Sequence, residues 1–231
     1  QENFNRIIEY FLNYYHYVCQ WNYDLENYET VAQYEFEAGN FLKEHTRRIR
    51  TALRYYRRAL TLRPEFPEVH HTLAELYLEE KNYVAAIDSA RKAIQGKPDF
   101  SEAYKTLGNA FLGQRNGTAA MNAYQRAIAI KPEYAEVYSN IASLYFFQNQ
   151  FQESLKLYQK ALALDNKIPG IHWNLGKVYE RLGKVDETIN CWKQALSLDA
   201  EFGGGESYRL LANKYYGKGD KKTAIDLYKK A

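Results

Sequence analysis

A spacing of 34 residues runs through most of this sequence and leaves few folds open to it. Ala59, Ala93, Ala127, Ala161 and Ala195 stand one period apart, and so do Pro64, Pro98 and Pro132. Leu73, Leu107, Ile141 and Leu175 form a third ladder, and Tyr77, Phe111, Tyr145 and Tyr179 a fourth. Self-similarity at a period of this length marks a stack of supersecondary units, each too small to bury its apolar face alone. The unit is clearest from Ser101 to Tyr134. Tyr104, Leu107, Gly108 and Phe111 line the inner face of one amphipathic helix, and Ala120, Tyr124 and Ala127 that of a second. Asn116-Gly117 supplies the polar turn between them, which also accounts for the match of Asn116-Gly117-Thr118 to a glycosylation acceptor. Pro132 closes the unit, because it lacks a backbone N–H and biases the residue before it away from α.

This pattern resembles the tetratricopeptide repeat family. The resemblance implies an all-α, right-handed superhelical solenoid of helix-turn-helix units. Residues 1–22 lie outside the register and are read as an N-terminal capping helix, with Phe4, Ile7, Ile8, Phe11, Leu12, Tyr15, Val18 and Cys19 at helical spacing. Residues 23–66 form a degenerate first repeat whose turn needs about two extra residues. Repeats follow at 67–100, 101–134, 135–168 and 169–202, and a truncated one at 205–231. Turns are expected near Asn82, Asn116, Asn149 and Gly183, with no strand from Pro67 to Phe202. Gly203, Gly204 and Gly205 break the register and are expected to loosen the docking of the last helix pair. That pair is expected to expose an apolar face open to self-association. The start at Gln1 and the stop inside an unfinished unit read as a fragment or a processed product.

Small Gly or Ala at Gly108, Ala142, Gly176 and Ala120 lets helices approach, and Tyr124, Tyr158 and Trp192 fill the wedges beside them. These residues are assigned to packing. The 22 tyrosines against one Met fit aromatic wedges better than a greasy pocket, and a net charge of +3 does not imply a nucleic-acid partner. Cys19 and Cys191 lie too far apart in a stack to meet and read as free thiols, in keeping with a cytoplasmic setting. His16 and Cys19 could supply half a metal site, but no further ligands cluster near them in sequence. No HExxH, paired CxxC, Gly-x-Ser-x-Gly or phosphate-loop lysine is present, so the chain is not expected to be an enzyme or to hold a cofactor. No apolar run approaches the length of a membrane-spanning helix.

The resemblance also implies a working face, the concave side lined by the first helix of each unit. On this chain that face reads Glu68, His71, Thr72, Glu75, Leu78 and Glu79, then Glu102, Lys105, Thr106 and Asn109. Further along it reads Ser139, Asn140, Ser143, Phe146 and Phe147, then Trp173, Asn174, Lys177, Glu180 and Arg181, and finally Arg209, Asn213 and Tyr216. Lys105, Asn109 and Asn140 match three places of the carboxylate clamp that some family members use on chaperone tails. Gly170 and Asn174 occupy the remaining places, so the second cationic arm is missing, although Lys177 and Arg181 stand one turn on. Asn140 and Asn174 also resemble amides that grip a peptide main chain, since an amide donates and accepts at once.

The candidate partner-binding residues are therefore Lys105, Asn109, Asn140, Phe147, Trp173, Asn174, Lys177, Arg181, Arg209 and Asn213. The function expected is a protein–protein interaction scaffold whose groove holds an extended peptide or a helix. The substrate-recruiting region of a larger transferase is a second reading. A weaker third is nucleic-acid binding through the basic stripe Arg47, Arg50, Arg54 and Arg57, flanked by Arg48, Arg58 and Arg63. That stripe is also explained as a solvated face partly paired with the acidic stretch Asp24, Glu26, Glu29, Glu35 and Glu37.

Overall fold

The computed structural model describes residues 2–24, 27–46 and 48–231, except the side chains of 2–7, 23, 24 and 46. Glu26, Arg47 and the side chains of Phe4, Ile7 and Asp24 lie outside the described residues. Among those described there are α-helices and no strand. The chain divides into two compact units, Gln1–Arg115 and Asn116–Ala231. The first contains α1 (Glu2–Asp24), α2 (Tyr28–Thr46), α3 (Ile49–Leu62), α4 (Pro67–Glu79), α5 (Tyr83–Gly96) and α6 (Ser101–Gly113). The second contains α7 (Gly117–Ile130), α8 (Ala135–Phe147), α9 (Phe151–Leu164), α10 (Pro169–Arg181), α11 (Val185–Leu198), α12 (Gly204–Gly217) and α13 (Lys221–Tyr228).

The ladders acquire a backbone meaning. The alanine of each second helix gives its carbonyl to the residue that caps the helix: Arg63 to Ala59 at 2.8 Å, Lys97 to Ala93, Lys131 to Ala127 and Asp165 to Ala161 at 2.9 Å. These alanines are fully buried, because a larger side chain would hold the neighbouring helix away. At the other end of the hairpin one residue turns left-handed: Lys81 (φ 58°), Arg115 (62°), Asn149 (61°), Gly183 (75°) and Gly219 (86°). The next N–H then reaches back to the ladder aromatic, Asn82 to Tyr77 at 2.8 Å and Gln150 to Tyr145 and Lys184 to Tyr179 at 2.9 Å. This closes α4, α8 and α10 with a Schellman turn, and Asp220 N–H closes α12 in the same way on the Tyr215 carbonyl. Asn82, Asn116 and Asp220 cap the following helix, their side chains accepting from Ala85, Ala119 and Thr223 N–H.

Packing in several hairpins sets a large ring against a small residue. In the first unit a Cβ on Gly39 would stand 2.5 Å from the ring of Tyr56, and in the second a Cβ on Gly176 would stand 2.4 Å from that of Trp192. Ala142 shares a buried cluster with Tyr158. The rings then spend their polar atoms inward. The Tyr56 hydroxyl donates to Asn40 at 2.8 Å, Tyr158 and Ser143 share a bond of 2.6 Å, and the Trp192 indole donates to the Trp173 carbonyl at 3.1 Å. At the glycine run, Gly203 (φ 69°) and Gly204 (φ 60°) are both left-handed, a succession that side-chain-bearing residues disfavour. α12 then joins a cluster of Trp173, Ile189, Trp192 and Leu211.

Candidate partner-binding face

In the second unit the first helices α8, α10 and α12 carry most of the expected binding residues. On α10, Asn174, Lys177 and Arg181 follow at i, i+3 and i+7 and so share one face. Asn174 and Lys177 are half-buried and Arg181 is exposed. Among the described residues the Asn174 amide and the Lys177 ammonium engage no other group. The Arg181 guanidinium stands 5.1 Å from the centre of the Phe151 ring and 6.0 Å from that of Phe146. Phe147, beside Phe146, is 73% exposed and is the largest apolar surface on α8. The other candidates are already occupied. Asn140 is half-buried and hydrogen-bonded to the fully buried Tyr124 hydroxyl, whose pKa burial pushes well above the usual phenol value. Asn213 accepts from the Tyr228 hydroxyl at 2.6 Å. Arg209 holds Glu206 with two bonds of 2.7 and 2.6 Å, which keeps that carboxyl below its usual range. Trp173 is only 6% exposed and stacks on Trp192 with centroids 4.7 Å apart, so it is a core residue. Ser139, Thr72 and Thr106, also expected on the open face, are buried.

In the first unit Lys105 and Asn109 are half-buried on α6, and each is engaged with other groups of the protein. His71 of α4 shares a 3.1 Å hydrogen bond with Thr106 and leans on Phe100. Burial lowers its pKa, and Glu75 only partly offsets that. In the basic stripe, Arg50, Arg54 and Arg57 are exposed on α3. Arg58 turns to the acidic helix, meeting the buried Glu35 at 2.7 Å. Glu35 borders a cavity of about 420 Å³ with His16, Cys19, Gln20, Arg58 and Thr61. Burial raises the Glu35 pKa against the pull of Arg58 and raises that of the Cys19 thiol to about 11. No cluster of three or more His, Cys, Asp or Glu forms among the described residues.

Three family models match the chain. Two described as tetratricopeptide repeat cover residues 46–110 and 168–231, and one described as TPR repeat covers 118–148 and 142–183. Together they span far more than half of the sequence. The chain belongs to the tetratricopeptide repeat family. No curated protein matches it. Among solved structures it is similar to the APC/C hetero-tetramer Cut9-Hcn1, with 20% identity and a TM-score of 0.77 over 93% of this chain and 42% of that one. It is also similar to PilW, a type IV pilus biogenesis factor, with 20% identity and a TM-score of 0.74 over 85% of this chain and 90% of the other. A thermophilic tetratricopeptide repeat protein of Thermus thermophilus gives 21% identity and a TM-score of 0.65 over 80% and 99%. At these identities the likeness is one of fold.

A tetratricopeptide repeat array is a protein-interaction scaffold, and that coarse function goes with the family. The structure adds what the repeat pattern did not display, the tie between a buried tyrosine of a second helix and a polar residue of a first helix. Asn40, Asn140 and Ser143 all serve such ties. The one sequence signal for them is a Tyr in the wedge position together with Asn or Ser on a first helix. No helix among the described residues is long and apolar enough to cross a membrane.

Proposed function

We propose that this scaffold holds an extended, acidic peptide segment of a partner protein on α8 and α10 of the second unit. The observation that carries the reading is the row Asn174, Lys177 and Arg181. It places an amide and two cations on one helix face, and the first two have no protein partner among the described residues. Asn174 is suited to pair with the main chain of the peptide, Phe147 to take an apolar side chain, and Lys177 and Arg181 to take carboxylates. Asn140 is a poorer probe than its position implies. Its loss would strand the Tyr124 hydroxyl in the core, at a cost of about 1–3 kcal/mol that would be mistaken for a binding effect.

The test is a screen of displayed peptides followed by fluorescence anisotropy on the best binder. Asn174→Ala with Lys177→Ala should weaken binding by roughly ten- to a hundred-fold, from one lost hydrogen bond and one lost charge-assisted contact. Helicity should be unchanged. Arg50→Ser with Arg54→Ser, on the outer face of α3, serves as the control and should bind like the native chain. If the control pair loses the peptide and the α10 pair keeps it, the working face is α3 and the proposal is wrong.

A further inference from the structure

The outward face of α1 bears Tyr10, Tyr14, Tyr17 and Trp21, whose exposures are 84%, 62%, 73% and 60%. Their spacing of four, three and four residues sets them in one stripe along the helix. The opposite face is already used: Ile8 and Leu12 pack into the core cluster of the first unit, and Cys19 is buried. A helix that is apolar on two faces is built for neighbours on both. From Tyr10 to Asn22 there is no Asp, Glu, Lys or Arg, in a chain of which 26% is charged. Such a face gives a charged partner nothing to pair with, and it meets no like-charge penalty against itself.

The spacing also carries a symmetry. Steps of four, three and four read the same from either end of the helix. Two copies laid antiparallel about a two-fold axis between Tyr15 and His16 would set Tyr10 against Trp21 and Tyr14 against Tyr17, each pair occurring twice. A two-fold contact requires this kind of self-complementary patch. We propose that α1 is the seam of a homodimer, packing antiparallel against α1 of a second copy of this chain. At about 150–250 Å² per buried aromatic, the stripe at these exposures supplies roughly 600 Å² per copy. The pair would then hide about 1,200 Å², the lower edge for a specific interface, which fits a reversible dimer of micromolar affinity. This seam is independent of the peptide-binding face and also of the C-terminal face expected to self-associate.

Sedimentation equilibrium from about 1 to 200 µM tests it. The native chain should pass from the mass of one copy to that of two. Tyr14→Glu with Tyr17→Glu gathers four carboxylates around the axis and should remain monomeric throughout. Tyr14→Glu with Tyr17→Lys should recover the dimer, because each new carboxylate then faces the new ammonium of the other copy. All these positions are exposed, so circular dichroism should show the same helix content in every variant. A native chain that stays monomeric, a double-glutamate variant that dimerises like the native chain, or a charge-paired variant that stays monomeric would each overturn the proposal.

Discussion

At the scale of single residues, chemistry here is mostly decided by burial. His71 illustrates it, with Thr106, Phe100, Glu75, Glu102 and Lys105 around its ring. Desolvation lowers its pKa in the folded chain, so the neutral ring is the form that folds best. Above the unfolded value of about 6.5 both states are neutral and stability is complete. As the pH falls below that value the unfolded chain takes up its proton first, and stability drops until the folded pKa is passed. Glu35 has the opposite sign, since its raised folded pKa favours the folded state at low pH and the benefit fades as the pH rises. The two are separated by comparing the native chain with His71→Gln, in which Glu35 is unchanged. Urea unfolding at about pH 7.5 and 5.5 should show a smaller loss on acidification in the variant. An equal loss would mean that His71 is not held neutral.

At the scale of helices, a hairpin closes by matching ring size to the residue facing it. Trp192, 1% exposed, faces Gly176, whereas the smaller ring of Tyr158, 2% exposed, shares its cluster with Ala142. A methyl at position 176 would stand 2.4 Å from both Cδ1 and Nε1 of Trp192, and that indole is tied to the Trp173 carbonyl. Gly176→Ala should therefore destabilise the second unit by about 1–3 kcal/mol, although alanine is the better helix former by about 1 kcal/mol. Denaturant midpoints measure it, and a stabilised variant would show that the ring has room to move.

Across the whole molecule, protection from exchange should follow how much each hairpin buries. α8 buries seven side chains, whereas α12 buries Ser207, Leu211 and Ala212 and the eight-residue α13 only Ala224. Hydrogen exchange should accordingly be faster beyond Gly203 than across α8 and α9. Equal protection would mean that the ion pairs Lys214–Glu180 and Lys218–Asp186 and the aromatic cluster hold the last pair as firmly as a full repeat.

Much of this was legible in the sequence because a solenoid is locally encoded. Each alanine, aromatic and proline of the ladders acts inside its own hairpin or on the next one, so a period of 34 residues already implies two helices, the residues that face inward and the turns between them. Lys81 and Asn149 sit where the turn was expected, and they bend left-handed because the Schellman geometry demands it even without glycine. Whether a polar residue on a first helix is open or engaged depends on which ring stands behind it, and no period records that. Asn174 and Asn140 occupy the same place in successive repeats, yet one is unengaged and the other holds the Tyr124 hydroxyl, because Tyr158, the ring that corresponds to Tyr124, shares its hydroxyl with Ser143 instead. Trp173 was misread as a surface aromatic for the same reason, since only the packed indole pair shows it to be core. The sequence by itself determined the repeat, its helices and the residues that space them. The tertiary structure alone decided which polar groups remain for a partner, because a hydrogen bond to a buried ring is a property of two helices meeting.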